Sequence, residues 1–368
     1  MRILLLPGAF KGSLSALRAG QVLARVLSAR HTVRFLPISD GGDGFIEAFS
    51  FLDPHARLIK TYAKNAFLKT KPTRFLMLSD GKTAVIETAR ICGLGGIAPH
   101  TLDPLHASSY GVGQVLLAAL KQGATRIYVG LGGVACSDGG AGLAVACGAR
   151  LSDKKGSLLP LGAQPLLNVA RADFSALQTT FKRIKIWGVT DVTNPVLGPR
   201  SSAKVFGPQK GATAQQVALL DKALTRWTHV LEQATGRVIA HTPATAAAGA
   251  IGAGLYGFFH APLLPGAELL AQKAQWEQHL SWADLIITSE GKLDAQTFYG
   301  KAPGLVLKLA KKHKKPVLFI CGQADWKALS HVRSLPSLSI AQLTDFAPCL
   351  QAAKKQAARY LGRLGKNI

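Results

Sequence analysis

The sequence predicts an α/β protein of two domains, one a doubly wound, mainly parallel sheet covered by helices, the other a mixed α/β domain inserted into it. Three observations predict this. Apolar runs of strand length end in glycine or a turn at "RILLLPG" (2–8), "RIYVGLGG" (126–133), "IKIWGV" (184–189), "DLIITSEG" (284–291) and "PVLFICG" (316–322). Helix-period patterns lie between some of them, as in "VGQVLLAALKQG" (112–123) and "APGLVLKLAKKH" (302–313). The doubly wound pattern occurs at both ends of the chain, so the first domain is expected over 1–60 plus 275–368 and the second over 61–274, with borders open by tens of residues.

The first strand leads into Lys11, Gly12 and Ser13, with Ser13 placed to cap a helix starting near Leu14. "ISDGGDGF" (38–45) sets Asp40 and Asp43 around Gly41-Gly42, with Glu47 four residues further on. "RFLMLSDGKTAVIETA" (74–89) reads as a hairpin turning at Asp80-Gly81. The strand at 126 opens into "GLGGVACSDGGAG" (130–142) and the small-residue helix "AGLAVACGA". Gly, Pro and Ser accumulate again over 149–185, an excursion suited to the mixed domain. "TDVTNPVLG" (190–198) follows the strand at 184, with a turn at Asn194-Pro195, and "TSEGKLDAQ" (288–296) follows the strand at 284. Ligands of open α/β sheets sit outside the carboxyl ends of strands, so these acid-bearing glycine loops are expected to bind rather than merely link.

With 368 residues the chain can build two substantial cores, and 48% apolar against 17% charged residues reads as compact rather than disordered. A formal charge of +24 attracts anions, from small phosphorylated or carboxylated molecules to nucleic acid. The excess is spread along the chain and is densest over 301–368, with thirteen Lys or Arg against two acids. No zinc finger or interleaved aromatic array accompanies it, so no specific nucleic-acid partner is expected. The five cysteines form no C-x-x-C pair, which argues against a disulfide framework or a cysteine zinc site; Cys136 and Cys147 are expected to be packed. No apolar run reaches the length of a membrane span or a signal peptide. The expectation is a cytoplasmic protein, monomer or homodimer, with no membrane partner. The histidines show no H-E-x-x-H spacing, and His106 reads as a surface or core histidine or as a substrate contact. There is no G-x-S-x-G elbow and no G-x-x-x-x-G-K-[ST], and the glycines after the first strand, Gly8 and Gly12, make no G-x-G-x-x-G, which disfavours serine hydrolase, classical dinucleotide and Walker sites.

What the loops do suit is phosphoryl transfer, which needs charge stabilisation around phosphate oxygens, a metal clamp and an oriented hydroxyl. Glycine lets backbone N–H groups approach phosphate, and carboxylates are hard ligands for Mg²⁺. Candidate catalytic residues are Asp138, Asp191, Lys11 and Asp40. Asp138 stands between "GLGG" and "GGAG", where a tight turn alone could also explain the glycines. Asp191 suits the acceptor hydroxyl or a metal water, or an Asx-turn of its own. Lys11 suits a phosphate or carboxylate, or an ordinary surface position; Asp40 suits metal or hydroxyl activation. Asn194, Lys210, Ser108 and Ser109 are candidate substrate contacts, with Lys210 an anion clamp framed by "FGPQKGA". Gly132, Gly133, Gly139, Gly140, Glu290, Asp294 and Lys301 are candidate cofactor contacts, and Asp191 and Asp294 candidate metal ligands.

Six stretches, "LLPGAFKGSLSA" (5–16), "SDGGDGF" (39–45), "GLGGVACSDGGAG" (130–142), "TDVTNPVLG" (190–198), "FGPQKGA" (206–212) and "SEGKLDAQTFYGKAPG" (289–304), occur in the order of the bacterial type-1 glycerate kinases. The chain resembles that family over nearly its whole length. The resemblance implies two α/β domains, one Rossmann-like, with the active site in the cleft between them, and transfer of the ATP γ-phosphoryl group to D-glycerate with Mg²⁺, usually at O2. The chain departs from the family pattern at several points. Gly8 and Ala9 replace an acid and a hydroxyl in P-D-S-F-K, and "GVACSDGG" stands for G-S-A-T-N-D-G-G. Thr190 begins the usual C-D-V-x-N-P, "PATAAAGA" (243–250) replaces P-G-A-G-A-A-G-G, and Ser289 stands at the glycine of T-G-E-G. Asp40, Asp138, Asp191, Glu290 and Asp294 are kept. The alternatives are a relative that binds an anionic metabolite without turnover, and a kinase giving 3-phosphoglycerate.

Overall fold

The structure, a computed structural model, describes residues 1–10, 12–294, 297, 302–326 and 337–368. In chain order the strands are β1 (Arg2–Pro7), β2 (Thr32–Phe35), β3 (Arg57–Lys64), β4 (Thr70–Met77), β5 (Thr83–Glu87), β6 (Arg126–Gly130), β7 (Arg150–Ser152), β8 (Arg171–Asp173), β9 (Lys185–Val189), β10 (Leu263–Leu264), β11 (Leu285–Leu293), β12 (Val317–Ala324) and β13 (Leu338–Gln342). The helices are α1 (Ala16–Leu27), α2 (Phe45–Leu52), α3 (Thr88–Cys92), α4 (Tyr110–Lys121), α5 (Ala141–Ala146), α6 (Ser175–Phe181), α7 (Ser202–Phe206), α8 (Ala214–Thr235), α9 (Ala247–Phe258), α10 (Gly266–Lys273), α11 (Trp276–Trp282), α12 (Ala302–Lys312), α13 (Leu350–Lys355) and α14 (Ala357–Gly365). The chain divides into two compact units, residues 1–40, 47–54 and 265–368, and residues 41–46 and 55–264. The sequence reading sets its borders at 60 and 275 and does not separate 41–46 from the first domain.

The first unit holds a five-stranded sheet in the order β13-β12-β11-β1-β2, every pair parallel. Its central strands are continuous apolar runs because both faces are covered. In β1, Leu4 and Leu6 enter one core with Ile286, Phe319, Val306 and Trp276. Ile3 and Leu5 enter the other with Ile287, Ile320, Leu23 and Leu361. Burying four such side chains completely contributes roughly 6–12 kcal/mol of gross hydrophobic stabilisation. The helix after β1 starts later than expected. Ser15, not Ser13, caps α1 and accepts the Arg18 N–H at 3.2 Å, while the Ser13 hydroxyl donates to the Lys354 carbonyl.

The second unit holds a mixed six-stranded sheet, β10-β9-β6-β5-β4-β3, in which β3, β4 and β5 are antiparallel neighbours and β5, β6, β9 and β10 run parallel. β4 and β5 form the hairpin at Asp80-Gly81, with Gly81 at φ 64°. One face of this sheet, with Ile86, Ile127, Val129 and Ile186, packs on helices α4, α8 and α9 through Val112, Leu116, Trp227, Leu231 and Ile251. The 149–185 excursion contains a separate two-stranded ribbon of β7 and β8. Among the described residues no helix is long and apolar enough to cross a membrane.

Candidate active site

Three glycine-bearing segments of the second unit meet at the carboxyl ends of β6 and β9. The contacts are backbone on backbone, and glycine is what permits them. A side chain on Gly41 (φ 88°) would begin 2.2 Å from the Val189 carbonyl oxygen, and one on Gly130 would begin 2.5 Å from the Gly41 oxygen. One on Gly132 would begin 2.7 Å from Cα of Gly42. Thr88 braces the junction, its hydroxyl donating to the Gly130 carbonyl at 2.8 Å. Glu87, at the end of β5, is buried, accepts the Ile46 N–H at 3.1 Å and lies 3.4 Å from the Arg90 guanidinium. Neither Glu87 nor Thr88 stands in a glycine loop, so the sequence offered no local signal for them.

The open rim of this junction carries Asp43, Gly44, Gly133 and Asp191. Asp43 is exposed, and its carboxylate lies against the Cα of Gly133, 3.5 Å from where a Cβ would stand. Asp191 is half-buried in the turn directly after β9, where the Thr190 hydroxyl accepts the Val192 N–H at 3.1 Å. Asn194 turns inward, its side-chain amide donating to the Arg200 carbonyl at 2.9 Å, and so shapes the 190–200 loop. Gly132 and Gly133 remain accessible. Asp40 is half-buried at the end of the first unit's opening segment.

Several expected site residues lie elsewhere, and burial is the reason. Asp138 has no exposed surface. One carboxylate oxygen accepts from the Ser109 N–H (2.7 Å), the Ser109 hydroxyl (3.0 Å), the Ser108 hydroxyl (3.1 Å) and the Gly142 N–H (3.2 Å), and the other faces the Gly140 N–H at 3.3 Å. It therefore ties the starts of α4 and α5 together, which corrects its reading as an open catalytic acid. Burial raises its pKa, and the donors from Ser109, Ser108 and Gly142 oppose the rise. Ser108 and Ser109, expected as substrate contacts, are equally inaccessible and serve Asp138. Lys210 is buried too, its ammonium donating to the Cys136 carbonyl at 2.5 Å and the Ser137 hydroxyl at 3.1 Å. Burial lowers its pKa, opposed by nearby Cys136, Cys92 and Asp138, and with its ammonium turned inward onto Cys136 and Ser137 Lys210 faces no open surface where an anion would be clamped. Gly139 and Gly140 are closed off: Trp227 donates its indole N–H to the Gly139 carbonyl at 2.9 Å, and a side chain on Gly139 would begin 2.3 Å from that ring.

Cys136 and Cys147 are buried thiols, as expected, and burial pushes Cys147 to about 12. His106 is exposed and paired with Asp103 at 2.8 Å. Lys11 and Lys301 lie outside the described residues.

In the first unit, Glu290 and Asp294 stand at the carboxyl end of β11. The Thr297 hydroxyl donates to Glu290 at 2.8 Å, and Lys292 lies 3.5 Å from Asp294. Both acids line a cavity of about 250 Å³. Among the described residues no three His, Cys, Asp or Glu side chains gather as a metal cluster. Mg²⁺ needs no such cluster, since it keeps several waters and takes one or two carboxylates together with substrate phosphates. A single strand-end carboxylate such as Asp191 fits that demand.

The model of the glycerate kinase family matches residues 3–368. The chain is 35% identical to a glycerate kinase of Bacillus subtilis (strain 168), over 100% of this chain and 97% of the relative. It is 35% identical to a glycerate 2-kinase of Escherichia coli (strain K12), over 88% of this chain and 85% of the relative. A crystal structure from Salmonella typhimurium LT2 assigned as glycerate kinase 2 superposes with a TM-score of 0.80 at 33% identity, covering 100% of this chain and 96% of that one.

Proposed function

From the premise that the chain belongs to the glycerate kinase family, we propose that it transfers the γ-phosphoryl group of ATP to O2 of D-glycerate, giving 2-phosphoglycerate and ADP. The observation that carries this reading is the junction of bare backbone at the ends of β6 and β9, with Asp191 and Asp43 at its rim. Asp191 accepts the hydrogen bond of the acceptor hydroxyl and points its oxygen at phosphorus, the positioning on which phosphoryl transfer chiefly depends. The accessible backbone at Gly132 and Gly133 lets N–H groups approach anionic oxygen without a side chain between. Asp191 is the proposed Mg²⁺ ligand; the ion, when bound with ATP, would neutralise charge on the phosphate oxygens. Asp138 acts on the reaction as a positioning residue, by holding α4 and α5 to the glycine loop. The name of the Escherichia coli relative supports the 2-position.

An ADP-release assay with D-glycerate and Mg-ATP tests the reaction. The expected result is glycerate-dependent ADP formation, with 2-phosphoglycerate identified by phosphorus NMR. Glycerate binding without turnover would replace the kinase with an anion-binding protein, and the 3-phospho isomer would reject the position.

A further inference from the structure

The all-parallel sheet of the first unit has a topological switch point. From β1 the chain steps outward to β2, whereas β11, on the other side of β1, leads to β12 and β13 in the opposite direction. Crevices at such points, outside the carboxyl ends of the strands, are where doubly wound sheets take their ligands. The cavity of about 250 Å³ lies there, lined by Phe10 after β1, Gly291 in β11 and Gly322 in β12. Its far wall comes from the C-terminal helices, with Leu350, Ala353 and Ala357 beside Leu343.

The chemistry of the lining separates two halves. One is an apolar slot, floored by backbone where a side chain on Gly322 would begin 2.5 Å from the Gly291 carbonyl oxygen. A flat ring system fits such a slot; a three-carbon hydroxy acid has no apolar surface to match it. The other half carries the carboxylates of Glu290 and Asp294, which can each accept more than one hydrogen bond and suit vicinal hydroxyl groups. Lys292 and Lys354, both exposed, stand where charge on an attached phosphate chain would be offset. We infer that this crevice holds the nucleoside part of the phosphoryl donor, a purine ring against Phe10, Leu343 and Leu350 and ribose hydroxyls on Glu290 and Asp294. The inference rests on the kinase reading and deepens it: nucleoside recognition belongs to the first unit, not to the glycine loops of the second.

Calorimetric titration of the full-length protein with ADP, adenosine and inorganic tripolyphosphate tests it. Leu350→Ser strips an exposed part of the apolar wall without touching a buried core, and Ala357→Leu fills the slot from behind. In both, the Kd for ADP and for adenosine should rise by about fivefold or more, as expected when apolar contact worth about 1 kcal/mol is lost. The Kd for tripolyphosphate and for D-glycerate should stay within about twofold. Melting curves identify a variant that fails to fold, and Leu350→Ser alone then decides. Unchanged ADP affinity in folded Leu350→Ser overturns the assignment while leaving the kinase reading in place. A wild-type protein that binds no ADP removes both.

Discussion

Asp138 and Asp191 look alike in the sequence, each an acid a few residues beyond an apolar strand and beside a glycine or a turn. Their surroundings separate them. Asp138 receives hydrogen bonds from Ser108 and Ser109, about thirty residues earlier in the chain, and such a partnership leaves no trace in local spacing. Replacing it by Asn keeps the size but removes charge from a buried group bonded to backbone N–H donors. Asp138→Asn should therefore cost about 2–4 kcal/mol of stability, read as a lowered melting midpoint. Asp191→Asn, half-buried at a strand end, should leave the midpoint within a few degrees and lower kcat by about 10²–10⁴. If folded Asp138→Asn kept the wild-type midpoint while losing turnover, its structural assignment would fail and the carboxylate would return to the chemistry.

The elements most legible in the sequence are those whose apolar runs are buried on both faces, such as β1, β11 and β12, because nothing but a covered parallel strand suits them. β3 was harder to read. Its residues alternate toward solvent and include Lys60, Thr61 and Lys64, so its pairing with β4 shows only in the completed sheet. The altered segment "PATAAAGA" was visible as a departure, but its cost was not. Ala244 (φ 68°), Ala248 (φ 52°), Gly249 (φ 63°) and Ala250 (φ 64°) all lie in left-handed backbone, which burdens alanine by about 1–2 kcal/mol per residue. Ala244→Gly should accordingly raise stability by about 0.5–1 kcal/mol in denaturant unfolding, the relief of strain exceeding the added freedom of the unfolded chain. Gly249→Ala should do the reverse and more, since its Cβ would begin 2.0 Å from the Cys136 carbonyl oxygen and 2.8 Å from the Lys210 ammonium. The β4–β5 hairpin carries a pH dependence. Burial pushes the Asp80 carboxyl up, but the Thr83 hydroxyl, the Lys82 and Thr83 N–H groups and the Arg126 guanidinium together hold it at about 2. A depressed carboxylate contributes stability that is complete above its unfolded value of about 4 and is lost as pH falls through about 2. Asp80→Asn should flatten that part of the stability profile by about 1 kcal/mol, a discounted figure because the side chain is 40% exposed. An unaltered profile would mean that these bonds do not persist in solution.

For the whole molecule the dominant quantity is a charge of +24, which composition disclosed in full. It should hold the protein on duplex DNA only weakly, with retention that falls steeply with salt and is gone by about 0.15 M. Sequence-selective binding that persists there, measured by fluorescence anisotropy, would require a recognition surface the chemistry above does not contain. The way the first unit is assembled has a consequence of another kind, one of timing. β1 lies between β2 and β11, and Arg2 is bonded to Asp284, 282 residues away. During synthesis at roughly 5–20 residues per second, β1 leaves the ribosome about 15–55 s before that partner exists. Throughout that interval "RILLLP" is an apolar strand with an unpaired edge, the kind of segment that associates with other chains. The newborn chain thus lacks the β11 partner of its first strand until its last quarter is translated, and a message cut short before residue 285 yields a chain whose first strand never acquires that neighbour.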